Sequence, residues 1–209
     1  PEKEYEALHE ADKKALKHLI KAAKALDNVF LKQDYEKNIE MKATLEEAFK
    51  DGDKLAGKLL QLFAIFNGIE GNDGIAKEPI RLFEDHVLPK GKNVYSSDIT
   101  KESLIAYLKN NIQDAAAILS YDTVVKKIGE DITAIPYFVE FRNEYREAAK
   151  QLLLASQETT HSGLAVYLSL QAQALVCCDP EYAFKADAAW AALKDSPLEF
   201  TIGRESYED

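Results

Sequence analysis

The sequence predicts a mainly α-helical fold, a single helical domain over residues 1–209 with a small β-hairpin and a short C-terminal strand. Three observations carry this. Apolar residues recur every three or four positions through most of the chain, the spacing of one helix face. The period drops to two between Tyr121 and Ile135, the spacing of a strand. Glycine and proline gather between Asn67 and Asp98, the one long stretch with neither period.

The first helix carries Leu8, Ala15, Leu16, Leu19, Ile20, Ala23, Leu26 and Phe30 as its apolar positions, with Lys and Glu between them. A second runs from about Tyr35 to Lys50 and stops at Asp51-Gly52-Asp53. A third, Lys54 to Phe66, is apolar on most sides, which predicts burial. Segment 67–98 is irregular, with a short helix expected from Pro79 to Leu88. Long irregular segments inside a domain are often functional. Thr100 caps a helix that places Leu104, Leu108, Ile112, Ala115 and Leu119 on one face. A hairpin turning at Gly129 follows. Pro136 then opens a helix with a seam of Phe138, Phe141, Tyr145, Ala148, Leu152 and Ala155. Gly163 precedes another helix, and Asp179-Pro180 is a cap followed by an N1 proline for one more, ending near Leu193. Leu198 to Ile202 reads as a short buried strand that halts at Gly203.

The chain has 26 Lys and Arg against 36 Asp and Glu, a net charge of −10. That balance argues against nucleic-acid partners, whose binding rests on basic residues replacing counterions, and against anionic membranes. No apolar run approaches the ~20 residues of a membrane span. The two cysteines, Cys177 and Cys178, are adjacent and supply no disulfide framework. A reducing, cytoplasmic setting fits, or a periplasmic one if a leader has been removed. The chain begins at Pro1 and ends at Asp209 without a tail, which reads as a fragment or processed form.

Metal ligands are not apparent. The histidines, His9, His18, His86 and His161, have no paired i, i+4 spacing, and the cysteines lack C-x-x-C. Surface or helix-capping roles are expected for the histidines, and buried structural thiols for the cysteines. No G-x-S-x-G, Walker or dinucleotide glycine pattern is present. Gly68-Ile69-Glu70-Gly71-Asn72-Asp73-Gly74 is acidic and repels phosphate, so it reads as a solvated loop. Asp51 and Asp53 read as a helix-terminating turn. The tail is richer. Glu205 and Tyr207 follow Gly203 at a strand end, where polar groups can line a cleft. A carboxylate there holds an ammonium, and a phenol donates to a developing oxyanion. A frayed acidic terminus is the plainer alternative.

Ile202-Gly203-Arg204-Glu205-Ser206-Tyr207-Glu208-Asp209 resembles the I-G-x-x-E-[ST]-Y-x-D segment of the dipeptidyl peptidase III family, its bacterial members above all. Upstream, Lys185–Leu193 is similar to the family's S-D-x-A-W-x-x-L stretch. Lys90–Glu102 is similar to its G-A-N-F-Y-P-x-D-M-T-K-E stretch. Leu19–Gln33 resembles its first amphipathic helix, and the hairpin ending at Ile135-Pro136-Tyr137 has a counterpart.

The resemblance implies the N-terminal part of a zinc metallopeptidase that releases dipeptides from short peptides. The zinc, on an H-E-x-x-G-H helix plus a later glutamate, belongs to a downstream catalytic lobe, so no cofactor is expected in this chain. Glu205 would hold the peptide's amino terminus with Gly203 beside it, and Tyr207 would stabilise the tetrahedral intermediate. Two departures stand out. Arg204 alone separates Gly203 from Glu205 where the family has two residues, and one residue lost from an extended segment reverses side-chain facing. Ser96 replaces the family's proline, which loosens a loop. A non-catalytic helical binding module is therefore the alternative reading. Some family members carry a Nudix hydrolase domain upstream; nothing of that kind is read here. Asp187 and Trp190 share a helix face, either as a cleft wall or as a core tryptophan beside a carboxylate favoured by the helix dipole.

Overall fold

The computed structural model describes residues 2–72, 78–177 and 179–203. These form ten α-helices and two small antiparallel hairpins. They fall into two compact units. A terminal unit comprises the residues up to Asp27 with those from Tyr137 onward, and a middle unit comprises Asn28–Pro136.

The terminal unit begins with α1 (Glu2–Ala7) and most of α2 (Glu10–Asp34). Its buried stripe is Asp12, Ala15, Leu19, Ala22 and Ala25, whereas Ile20 is 46% exposed. The helical period is as expected, but small alanines carry the packing, which lets backbones approach closely. After α7 (Tyr137–Glu140) the chain kinks at buried Phe141, and α8 (Arg142–Glu158) follows. The seam Phe141, Tyr145, Ala148, Leu152 and Ala155 is buried throughout. α9 (Ser162–Val176) and α10 (Pro180–Ala191) complete the unit, with Leu164, Leu168, Leu175 and Ala186 in its core.

In the middle unit, α3 (Asn38–Lys50) and α4 (Lys54–Phe66) form a helical hairpin. Its turn is the one expected: Asp53 Oδ1 accepts from Leu55 and Ala56 N–H and caps α4. Leu31, Phe63 and Ile69 form a small core here. The expected burial of α4 fails. Only Ala56 and Phe63 are buried, and a second apolar face is exposed. Pro79–Leu88 forms no helix. Instead β1 (Glu70–Gly71) pairs with β2 (Ile80–Arg81), and the Arg81 Nε–Glu70 Oε2 ion pair closes at 2.7 Å.

Thr100 caps α5 (Lys101–Asn110) in a reciprocal capping box with Ser103. The helix stops at Asn110, earlier than its apolar spacing predicts. A 3₁₀ turn and α6 (Ala115–Ile118) follow, leaving Ile112 and Leu119 exposed rather than on a shared buried face. β3 (Thr123–Ile128) and β4 (Asp131–Pro136) pair in register Ile128↔Asp131 to Thr123↔Pro136. Gly129, at φ +65°, makes the turn in the left-handed region that glycine enters without cost. Ile118, Val125 and Ile132 form the second core of this unit, with Tyr95, Leu104 and Leu108 packed against it.

Candidate functional site

α10 delivers the chain to the region marked by the tail motif. Asp179 caps it by accepting from Glu181 N–H at 2.9 Å, and Pro180 sits at its first position. The helix ends just past Trp190. Asp195 then turns the backbone at φ +55°, and Ser196 Oγ donates to the Leu198 carbonyl at 2.6 Å. Trp190, Leu193, Asp195, Ser196, Leu198 and Glu199 line a cavity of about 380 Å³. One wall is aromatic and aliphatic, and two carboxylates stand beside it. Such a cavity suits a ligand with an apolar body and a cationic end. Trp190 is 39% exposed, so it is cavity wall rather than core, while Asp187 is exposed.

The segment after α10 is held by side chains rather than by a ladder. Leu198–Ile202 forms no strand; Leu198 is buried, and Gln171 Nε2 donates to the Ile202 carbonyl. His161 Nδ1 accepts from Leu164 N–H at 3.0 Å as the N-cap of α9. Its Nε2 therefore carries the proton and donates to the Lys194 carbonyl at 3.0 Å. Gly203 is half-buried and is the last described residue. Glu205 and Tyr207 lie outside the described residues.

The other histidines are also engaged. His9 Nδ1 accepts from Ala11 N–H, His18 Nδ1 meets Gln151 Oε1 at 2.6 Å, and His86 Nδ1 meets the Tyr35 hydroxyl at 3.1 Å. Among the described residues, no three His, Cys, Asp or Glu side chains are grouped to hold a metal ion. No helix among them is long and apolar enough to cross a membrane. Asp195, Leu198 and Glu199 have no motif of their own. Ser196-Pro197, expected to end the helix, is the nearest sequence signal, but α10 already ends at Ala191.

No family model matches the chain. A curated plant relative, Nudix hydrolase 3 of Arabidopsis thaliana, is 25% identical over 250 aligned residues, covering 97% of this chain and 32% of that protein. Two solved structures are similar. DPP III from Caldithrix abyssi superposes with a TM-score of 0.78 at 31% identity, over 90% of this chain and 34% of that one. Dipeptidyl-peptidase III from Corallococcus sp. strain EGB gives 0.72 at 27% identity, with the same coverage. The chain spans about a third of the length of the proteins it matches. Nine-tenths of it therefore shares the fold of one part of these bacterial dipeptidyl peptidase III structures, the family that its tail and its Gly91–Ser96 motif resemble.

Proposed function

We propose that this chain is the N-terminal, substrate-cleft portion of a dipeptidyl peptidase III-like zinc-dependent hydrolase, its 209 residues acting as one lobe. The observation that carries the reading is the fold likeness, which takes in 90% of this chain and only 34% of the Caldithrix protein. A short peptide lies against the wall formed by Trp190, Leu198 and Glu199. Gly203 lets the peptide backbone approach closely. Glu205 holds its ammonium through a charge-assisted hydrogen bond, and Tyr207 donates to the oxyanion of the tetrahedral intermediate.

The described side chains do not fit a zinc ion: no ligand group is assembled, and both ring nitrogens of His161 are already bonded. The metal of this reading belongs to a downstream catalytic lobe. The plant relative named a Nudix hydrolase is matched over only 32% of its length, so its name adds no activity to this reading.

Hydrolysis of a dipeptidyl arylamide tests the reading. The 209-residue chain hydrolyses none, with or without zinc. The gene's whole polypeptide does, and chelation abolishes it. In that polypeptide Glu205→Gln and Tyr207→Phe each lower kcat/KM by roughly 10²-fold. Chelator-sensitive hydrolysis by the 209-residue chain overturns the division of labour. The second reading, a non-catalytic helical binding module, is favoured by Arg204 standing alone between Gly203 and Glu205. A gene that stops at Asp209 decides for it.

A further inference from the structure

α4 is apolar on two faces, and one of them is covered. Ala56 and Phe63 are buried in the middle unit, while Leu55 is 63%, Leu62 39% and Ile65 74% exposed. With Lys58 these fall at i, i+3, i+7 and i+10, one continuous stripe. Phe49, 54% exposed, flanks it with its ring against Gly57, where a Cβ would come within 2.6 Å. A helix this apolar all round is ordinarily buried on both sides. Its charges are Lys54 and Lys58 alone, in a chain of net charge −10.

The size of the stripe bears on its occupant. Thirteen residues make a helix about 20 Å long, so a stripe ~10 Å wide offers roughly 200 Å². Two free proteins need ~800 Å² each for a stable interface. A tethered segment needs far less, because its effective concentration replaces the missing area. The matching proteins are about three times the length of this chain.

We infer that the outer face of α4 is an intramolecular docking surface, receiving an apolar, acid-flanked helix from the part of the polypeptide beyond these 209 residues. This rests on the reading of the chain as one portion of a longer hydrolase. The apolar residues of the incoming helix cover Leu55, Leu62 and Ile65, and its carboxylates meet Lys54 and Lys58.

Maleimide labelling of Ile65→Cys and, separately, Leu55→Cys tests it, followed at the labelled peptide by mass spectrometry. Both positions are exposed, so neither substitution disturbs the fold. In the 209-residue chain each thiol reacts near its rate in urea. In the whole polypeptide both react at least ten-fold more slowly, and Lys58→Glu restores much of the rate. Equal rates in the two proteins overturn the inference, as does a gene ending at Asp209. Slowing in the 209-residue chain on raising its concentration, which marks a second copy, or on adding phosphatidylglycerol vesicles, also overturns it. Arylamide hydrolysis by the same whole polypeptide separates the two claims. Hydrolysis with unprotected thiols removes the docking surface alone, and protection without hydrolysis removes the catalytic reading alone.

Discussion

The side-chain amide of Asn93 donates to the carbonyl of Lys32 at 2.7 Å, and the backbone N–H of Asn93 donates to that of Gln33 at 2.8 Å. α2 ends without a glycine, and its last carbonyls have no partner within the helix. Asn93 supplies two of the missing donors from sixty residues away. Lys92, in the left-handed region at φ +49°, aims the pair, and its Nζ meets Asp34 Oδ1 at 2.6 Å. The asparagine of the motif that resembles the family's G-A-N-F-Y-P is thus a remote helix cap. Asn93→Ala is expected to cost about 1–2 kcal/mol and to speed amide exchange in the loop it anchors. Urea unfolding and hydrogen exchange measure both.

Ser96 follows in the same strap. Its N–H donates to the Val125 carbonyl at 2.9 Å, and its Oγ accepts from Lys127 N–H at 3.3 Å. Val125 N–H in turn donates to the Val94 carbonyl at 2.7 Å, so the strap runs as a parallel partner along β3. The loosening expected from a serine in place of proline is therefore reversed: this N–H is a bond a proline cannot make. Ser96→Pro is expected to cost ~1–3 kcal/mol, and Ser96→Ala, which keeps the N–H, clearly less. Reversal of that order in thermal or urea unfolding removes the strap from the account of stability.

Helix positions were legible wherever local chemistry sets them. Asp53 starts α4 and Asp179-Pro180 starts α10 because capping is a property of neighbouring residues. Burial was less so. The period places Ile20 and Phe30 on a helix, but which stripe is covered depends on distant partners, and both residues are 46% exposed. The β1–β2 pair was hidden because each strand has only two residues, too few to show a periodic pattern. At the candidate site, the resemblance singled out the helix stretch that holds Trp190. The roles of Leu198 and Glu199 as cavity wall follow only from the turn at Asp195, which no motif announces.

Trp190 is the chain's one tryptophan, and it lines the 380 Å³ cavity. Its emission therefore reports on that cavity alone. A tetrapeptide with a free amino terminus is expected to shift the emission at millimolar concentration, and an N-acetylated one to shift it less, because acetylation removes the charge that Glu205 is proposed to hold and that Asp195 and Glu199 of the cavity wall also attract. Glu199→Gln, at an exposed position, is expected to weaken the response without unfolding the protein. Equal responses to the free and acetylated peptides exclude the carboxylates from recognition.

Asp12 gives the sharpest pH prediction. It is 1% exposed, and it accepts from Thr159 Oγ1 at 2.8 Å, Thr160 N–H at 3.0 Å and Thr160 Oγ1 at 2.7 Å. These bonds tie α2 to the turn between α8 and α9. Burial raises the pKa of the carboxyl, but the three donors, Thr160 first, outweigh it and hold the group below its usual value. A carboxyl depressed in the folded state stabilises the fold above its unfolded pKa, about 3.9. That contribution is lost as pH falls from there through the lower native value. Unfolding free energy should thus decline below about pH 4. Asp12→Asn, which cannot ionise, should start lower by ~1–3 kcal/mol at pH 7 and flatten that part of the decline. Thr160→Val, which removes one donor and keeps the ionisable group, should lower the pH 7 stability and move the decline to higher pH. An unchanged pH profile in both variants assigns the acid sensitivity to other carboxylates.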